Sequence, residues 1–240
     1  MKNYLLIHGA WGAAWEFNNV AELLSSEGHN VIALDLPGHG ENMANIADVT
    51  MEAYVQTVVN VIDNLDEKVI LVGHSLAGAV ISQVAEIMPE KIEKLIYVAA
   101  MLLKNGDSPL AVMQNDPDGE LLPNTIFSED GSYATVSEET VRNILLNDVG
   151  DEAYLDSIVP KFLFKQATEP FTAQAQLSEE MFGSVTKYYI KASIDKVISP
   201  SAQNKMLTNW KVENVYNLES GHFPLTSMPE KLAETIKNVE

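Results

Sequence analysis

The chain contains no cysteine. Disulfides, thiol catalysis and Cys-based metal sites are therefore excluded, and the composition is compatible with a reducing compartment, with the cytoplasm as the expected location. Arginine is almost missing too: Arg142 is the only one, and 34 acidic against 15 basic residues give a formal net charge of −19. Such a surface repels phosphate backbones, so nucleic acid is not an expected partner. The same sign slows the approach of an anionic substrate relative to a neutral one, but local charge at a pocket can oppose the total, and solubility is the preferred account of the acidic surface. Long apolar runs are absent. The opening Met1-Lys2-Asn3-Tyr4-Leu5-Leu6-Ile7 is too short for a signal-peptide core or a membrane span, and no membrane partner is expected. Neither H-E-x-x-H nor G-K-[ST] occurs and the histidines are scattered, so neither a metal site nor a phosphate loop is expected.

What remains is a chain of 240 residues, 46% hydrophobic, enough for one domain with a sizeable core. Short β-rich runs alternate with helical periodicities. Tyr4–Ile7 reads as a buried strand opening into a glycine-containing loop, and Trp15–Ser26 carries Phe17, Val20, Ala21, Leu23 and Leu24 at helical spacing. Val31–Leu34 predicts a second strand, and Thr50 caps a predicted helix to Leu65 with Val55, Val58, Val59 and Ile62 on one face. Val69–Val72 and Leu95–Ala100 are further strands, separated by a helix over Ala79–Met88. This alternation is the pattern of a doubly wound parallel sheet.

The alternation stops at Leu103. From there to about Phe182 no strand signal stands out, and two helical pieces are suggested, Ser137–Leu146 and Glu152–Ile158. It resumes with Thr186–Ala192, a helix capped by Ser199 with Pro200 at its first position, a strand near Val212–Leu218, and a final helix after Ser227 with Glu230 completing a capping box. Residues 1–102 and 183–240 are thus expected to form the core, with 103–182 a helical cap inserted between two strands of one sheet.

The stretch Val69-Ile70-Leu71-Val72-Gly73-His74-Ser75-Leu76-Ala77-Gly78 organises the rest. A strand that stops at a small-residue turn and restarts as a helix forces its central side chain into a sharp corner. In the nucleophile elbow, G-x-S-x-G, that side chain is a serine above the sheet edge. Here it is Ser75, with Ala77 where the second glycine usually stands and Gly78 beside it. Such a serine needs a base, and the base needs an orienting acid. Of five histidines only His222 lies after Ser75 in the chain, directly past the final strand. For the acid, Asp195 follows the strand ending at Ala192. Glu219 sits too close to His222 along one loop, and Asp35 is in the wrong order and better placed for a turn. The oxyanion donors expected are the N–H groups of Leu76, next to the nucleophile, and Ala10, in the loop after the first strand. His8 is expected to brace that loop. Trp11, Trp15, Phe127, Phe162, Phe164, Phe171 and the methionines are expected mostly in the core, with some of those in the insertion lining an acyl or alcohol pocket.

With these residues in view, the sequence resembles the α/β-hydrolase superfamily, and within it the methylesterase and hydroxynitrile lyase branch. The likeness spans nearly the whole chain and is carried by Leu6-Ile7-His8-Gly9-Ala10-Trp11, Ala33-Leu34-Asp35-Leu36-Pro37-Gly38, the Ser75 stretch, Phe182-Gly183-Ser184-Val185, Asp195-Lys196 and Gly221-His222. The resemblance implies an α/β-hydrolase fold with a mostly parallel sheet of about six strands, a helical cap, the triad Ser75, Asp195 and His222, and no cofactor. It implies a serine esterase acting on a small, largely apolar ester; a homodimer is compatible with it. Lyases of the branch carry Thr after the oxyanion-loop His and Lys after the catalytic His, where this chain has Gly9 and Phe223. That departure makes cyanohydrin cleavage the lesser alternative, alongside a non-catalytic receptor on the same fold.

Overall fold

The structure, a computed structural model, describes residues 1–239. In chain order the elements are β1 (Asn3–Ile7), α1 (Asn18–Ser26), β2 (Asn30–Leu34), α2 (Met51–Asp63), β3 (Val69–His74), α3 (Ala77–Ile87), β4 (Ile92–Val98), α4 (Pro109–Gln114), β5 (Thr125–Phe127), β6 (Tyr133–Val136), α5 (Glu138–Thr140), α6 (Glu152–Ile158), β7 (Gln166–Ala167), α7 (Glu169–Thr172), β8 (Lys187–Ala192), α8 (Pro200–Met206), β9 (Asn214–Leu218), α9 (Pro224–Ser227) and α10 (Pro229–Lys237). Six strands form one sheet in the order β2-β1-β3-β4-β8-β9, every pairing parallel.

Each strand of the sheet centre is apolar because helices cover both faces. All six residues of β3 are buried, as are Leu5, Leu6 and Ile7 of β1 and Leu95–Val98 of β4. Fully burying one such Leu, Ile or Val side chain contributes about 1.5–3 kcal/mol, so these strands commit the sheet. The first connection from β1 runs to β2 on one side, while β3 pairs on the other. That reversal opens a crevice at the carboxyl ends of β1 and β3, the place where open α/β sheets bind their ligands.

Helix starts follow their capping chemistry. Thr50 Oγ1 accepts from the Ala53 amide at 3.0 Å and starts α2, and Ser199 Oγ accepts from Ala202 at 3.1 Å and starts α8. The capping box expected at Ser227 does not form. Ser227 instead ends the short α9, its Oγ buried without a partner, and α10 begins at Pro229 with Met228 as the flanking residue. The reason is local: Pro229 drives the preceding residue out of helical geometry, and Met228 sits at φ −148°.

The segment between β4 and β8 holds the two anticipated helical pieces. Ser137 Oγ caps α5, which continues as a π-helical turn over Val141–Leu145, and α6 spans Glu152–Ile158. It also holds a three-stranded antiparallel sheet, β5-β6-β7, which the sequence reading did not anticipate. These strands are two to four residues long, and β7 joins β6 from more than thirty residues away. No periodicity can register in so few residues. Phe127, expected in the core, is half exposed on β5.

Candidate active site

Ser75 occupies the corner between β3 and α3 with φ +54°, in the left-handed region that side-chain-bearing residues rarely adopt. Three backbone bonds hold that conformation: the Ser75 amide donates to Val98 O (3.2 Å), and its carbonyl accepts from Gly78 (3.1 Å) and Met101 (3.0 Å). The small residues of the elbow are required by close approach. A Cβ on Gly78 would lie 2.6 Å from the Met101 carbonyl oxygen and 2.7 Å from its amide nitrogen. The departure from G-x-S-x-G at Ala77 is thus accommodated, while Gly78 carries the tight contact with the segment after β4.

The structure brings Ser75, His222 and Asp195 together from three strand ends. His222 Nε2 lies 2.8 Å from Ser75 Oγ, and His222 Nδ1 lies 2.8 Å from Asp195 Oδ2. A carboxylate can only accept, so Nδ1 carries the proton and Nε2 is free to accept from the serine hydroxyl. Asp195 is itself tightly held. Its Oδ1 accepts from the amides of Val197 (2.7 Å) and Ile198 (3.0 Å), and its Oδ2 also accepts from Gln203 Nε2 (3.2 Å). All three side chains are buried. Glu219, the rival acid, is not bonded to His222, and Asp35 accepts instead from the amides of Ala14 (2.7 Å) and Glu41 (2.9 Å), the turn role expected of it.

Ala10 and Leu76 line the same cavity as Ser75 and His222, and neither amide donates to a protein group among the described residues. The cavity is narrow, spans about 350 Å³ with open solvent at its mouth included, and is otherwise walled by apolar side chains, among them Met101, Met113, Leu145, Phe171 and Phe223. His8 braces the loop that carries Ala10: its Nε2 accepts from Leu36 N (3.1 Å), so Nδ1–H donates to Gly9 O (2.8 Å). A second buried chain supports the same loop. His39 donates to Gly12 O and accepts from the Tyr54 hydroxyl, which accepts from Gln166, whose Oε1 receives the Trp11 amide. Burial holds the imidazoles of His8 and His74 well below the ordinary histidine range and that of His39 down to about 4, so all three are neutral struts.

Several supporting residues carry no sequence signal. His74 Nε2 donates to the backbone carbonyl of His222 (2.8 Å), tying the elbow to the base-bearing loop. Three residues between β4 and β8 hold the triad loops from outside. Asp148 Oδ2 accepts from Gly221 N (2.7 Å), Asn147 Nδ2 donates to Ile194 O (3.0 Å), and the Asp116 carboxylate accepts from both the amide (2.8 Å) and the hydroxyl (2.6 Å) of Ser199. Only the fold places them beside loops lying 47 to 83 positions away in sequence. No group of three or more His, Asp or Glu side chains able to hold a metal occurs among the described residues, and no helix among them is long and apolar enough to cross a membrane.

Glu16 is the outlier of the first loop. It is buried, the backbone of Ala13 is the one group that favours its ionised form, no bond of full hydrogen-bond geometry reaches either oxygen among the described residues, and a Cβ on Gly12 would come within 2.2 Å of Oε1, so the glycine makes room for the carboxyl. Burial pushes its carboxyl well above the usual range. The folded chain therefore keeps this proton where the unfolded chain, with an ordinary value near 4.5, has lost it. The stability from this group is full below that value and is lost as pH rises through the folded pKa. Glu16→Gln is expected to gain stability relative to wild type as pH rises above about 4.5, read as a widening difference in urea midpoints between pH 4 and 8. A pH-independent difference would show that Glu16 titrates alike in both states.

Comparison with known proteins agrees with this geometry. Residues 4–235 match the model of the alpha/beta hydrolase family. Methylesterase 9 of Arabidopsis thaliana is 28% identical over 100% of this chain and 98% of its own length, and an alpha-hydroxynitrile lyase of the same plant is 29% identical over 99% and 96%. A longer chloroplastic relative of the Arabidopsis methylesterase series is 30% identical over 99% of this chain, which spans 64% of that protein. Among solved structures, a pyrethroid hydrolase from Sphingobium faniae superposes with a TM-score of 0.86 at 28% identity, covering 98% of this chain and 96% of that one. The six-stranded parallel sheet, the serine elbow after β3 and the full-length match converge: this chain belongs to the alpha/beta hydrolase family, with methylesterases and an alpha-hydroxynitrile lyase among the proteins it resembles.

Proposed function

We propose that the protein hydrolyses neutral carboxylic esters through an acyl-enzyme on Ser75. His222 Nε2 takes the Ser75 proton as Oγ attacks the acyl carbon; the C=O π pair moves onto oxygen, where the Ala10 and Leu76 N–H groups stabilise it. The tetrahedral species collapses, the C–O bond to the alcohol breaks, and the imidazolium returns its proton to the leaving oxygen. Water then repeats the sequence against the acyl-enzyme and releases the carboxylic acid. Asp195 keeps Nδ1 protonated throughout and stabilises the imidazolium as it forms. The observation that carries this reading is the unbroken Asp195–His222–Ser75 chain opening into an apolar cavity lined by Ala10 and Leu76, whose amides donate to no protein group among the described residues.

The lyase-like relative motivates one competing reading. Releasing cyanide calls for a cation beside the base, and here the neighbouring position holds Phe223, buried with its ring 4.6 Å from His74 and 5.3 Å from His222. No lysine or arginine lines the cavity. The test is hydrolysis of p-nitrophenyl acetate and a panel of aryl methyl esters, run beside cyanide release from mandelonitrile and labelling of Ser75 by a fluorophosphonate. Ester turnover with a Ser75 adduct in the mass spectrum is expected. Cyanide release exceeding ester turnover would replace the proposal by the lyase. A folded chain that neither turns over esters nor takes the label would make it a binding protein.

A further inference from the structure

A second, larger cavity adjoins the one at Ser75. It spans about 600 Å³, open solvent at its mouth included, and lies among α4, α7 and the small β5-β6-β7 sheet, with Trp11, Leu110, Met113, Leu122, Phe127 and Phe171 in its wall. Met113 and Phe171 line both cavities, one on each side, so they form the partition between them. Trp11, whose ring lies 5.8 Å from that of Phe171, follows Ala10 directly in the chain. The chamber therefore begins one residue from Ala10, which lines the cavity at Ser75.

Its wall discriminates by chemistry. No charged side chain lines it. Three threonines do, but Thr125 donates its hydroxyl to Leu121 O, Thr168 to Gly131 O and Thr172 to Glu169 O. Each hydroxyl proton is used within the backbone, leaving the wall without hydroxyl donors to offer a ligand. One side-chain donor is left in the wall, the Trp11 indole N–H, which is buried with no partner among the described residues. It can meet a single ester oxygen, but a carboxylate would recover at most that one bond and an ammonium none from it, whereas a hydrocarbon would lose only water. Phe127, half exposed, and the neighbouring Ile126 mark where the chamber meets solvent.

We infer that this chamber, gated by Met113 and Phe171, binds the hydrocarbon part of the substrate, so that the protein selects esters bearing a long or bulky uncharged apolar group over short ones. The ester assay of this inference rests on the reading of Ser75 as an esterase nucleophile; the binding assay described below does not. Methionine suits the partition because its unbranched side chain changes rotamer at small cost and lets an alkyl or aryl group pass. The group can belong to the acyl or the alcohol side of the ester, and the two are separated by the choice of substrate series.

The experiment follows kcat/KM along two series, p-nitrophenyl esters from acetate to octanoate for the acyl side and n-alkyl acetates from methyl to octyl for the alcohol side. A rise along one of them is expected, up to about threefold to fourfold per added methylene, the limit set by about 0.8 kcal/mol per buried CH₂. Leu122→Trp and Leu110→Trp, both at half-buried wall positions, should each lower the octyl-to-methyl or octanoate-to-acetate ratio at least tenfold by filling the chamber. Having two variants guards against one that misfolds. Flat or falling profiles along both series in the wild type, or equal losses on short and long esters in both variants, would overturn the inference while leaving acetate hydrolysis to support the esterase. Occupancy is read separately with the neutral fluorescent dye N-phenyl-1-naphthylamine, which should brighten with the wild type and bind at least tenfold more weakly to both variants. Failure of the dye to bind the wild type, or equal binding by all three proteins, would overturn the chamber whatever the esters show.

Discussion

Ser75→Ala is expected to lower kcat/KM for p-nitrophenyl acetate by about 10⁵-fold or more, with unchanged circular dichroism and an undiminished melting temperature. The size follows from what is lost. Without Oγ there is no acyl-enzyme, and His222 has no hydroxyl proton to accept; only the two amides and the cavity are left to favour direct attack by water. Stability should hold because the loss is one oxygen, and the residue sits at φ +54°, where alanine is no worse than serine. A residual rate within tenfold of wild type would mean that the nucleophile is elsewhere. A large drop accompanied by unfolding would be uninformative for serine, so the Ser75→Ala and His222→Ala proteins should be compared at equal folded fraction, and both are expected to fall by similar factors because the two residues act as one unit.

Asp195→Asn should cost about 10⁴-fold in kcat with KM changed far less. Two loop amides donate to Oδ1, while His222 and Gln203 donate to Oδ2. An asparagine facing four donors must place its NH₂ against some of them. Keeping the carbonyl on the Val197 and Ile198 amides turns the NH₂ toward His222 Nδ1. The imidazole is then driven to the tautomer with its proton on Nε2, which can no longer accept from Ser75. Gln203 Nε2 would meet the same NH₂ as a second donor. The expected signature is therefore a rate that recovers partly as pH rises, when hydroxide can substitute for the lost base, and a modest fall in stability from the unsatisfied Gln203. A loss carried mainly by KM would show that Asp195 shapes the cavity rather than orienting the base.

Much of this site was legible before any coordinates. Val69–Val72 announced a doubly covered strand by its unbroken apolar run, and the Gly73–Gly78 turn announced the corner on which Ser75 stands. His222 was singled out by elimination, as the only histidine after the serine, and Asp195 by its position past a strand end. The same local logic reached Thr50 and Ser199, because a cap is a contact between residues two or three apart. It failed at Ser227, where Pro229 imposed its own restriction on Met228 and shifted the helix start by one residue.

The sequence by itself determined the alternation of strands and helices, the elbow, and the chain order of the three bonded residues, since each depends on periodicity or on neighbours a few positions apart. Only the tertiary structure decided the rest. The small β5-β6-β7 sheet exists through pairings that no local pattern encodes. Asn147 and Asp148 hold the Asp195 and His222 loops through one long-range bond each and Asp116 through two, and His74, beside Ser75 in sequence, acts on His222 instead. The two cavities and their shared wall of Met113 and Phe171 come from side chains 58 residues apart. Volume and closure are properties of packed surfaces, set by where distant residues meet and not by any stretch of chain read alone.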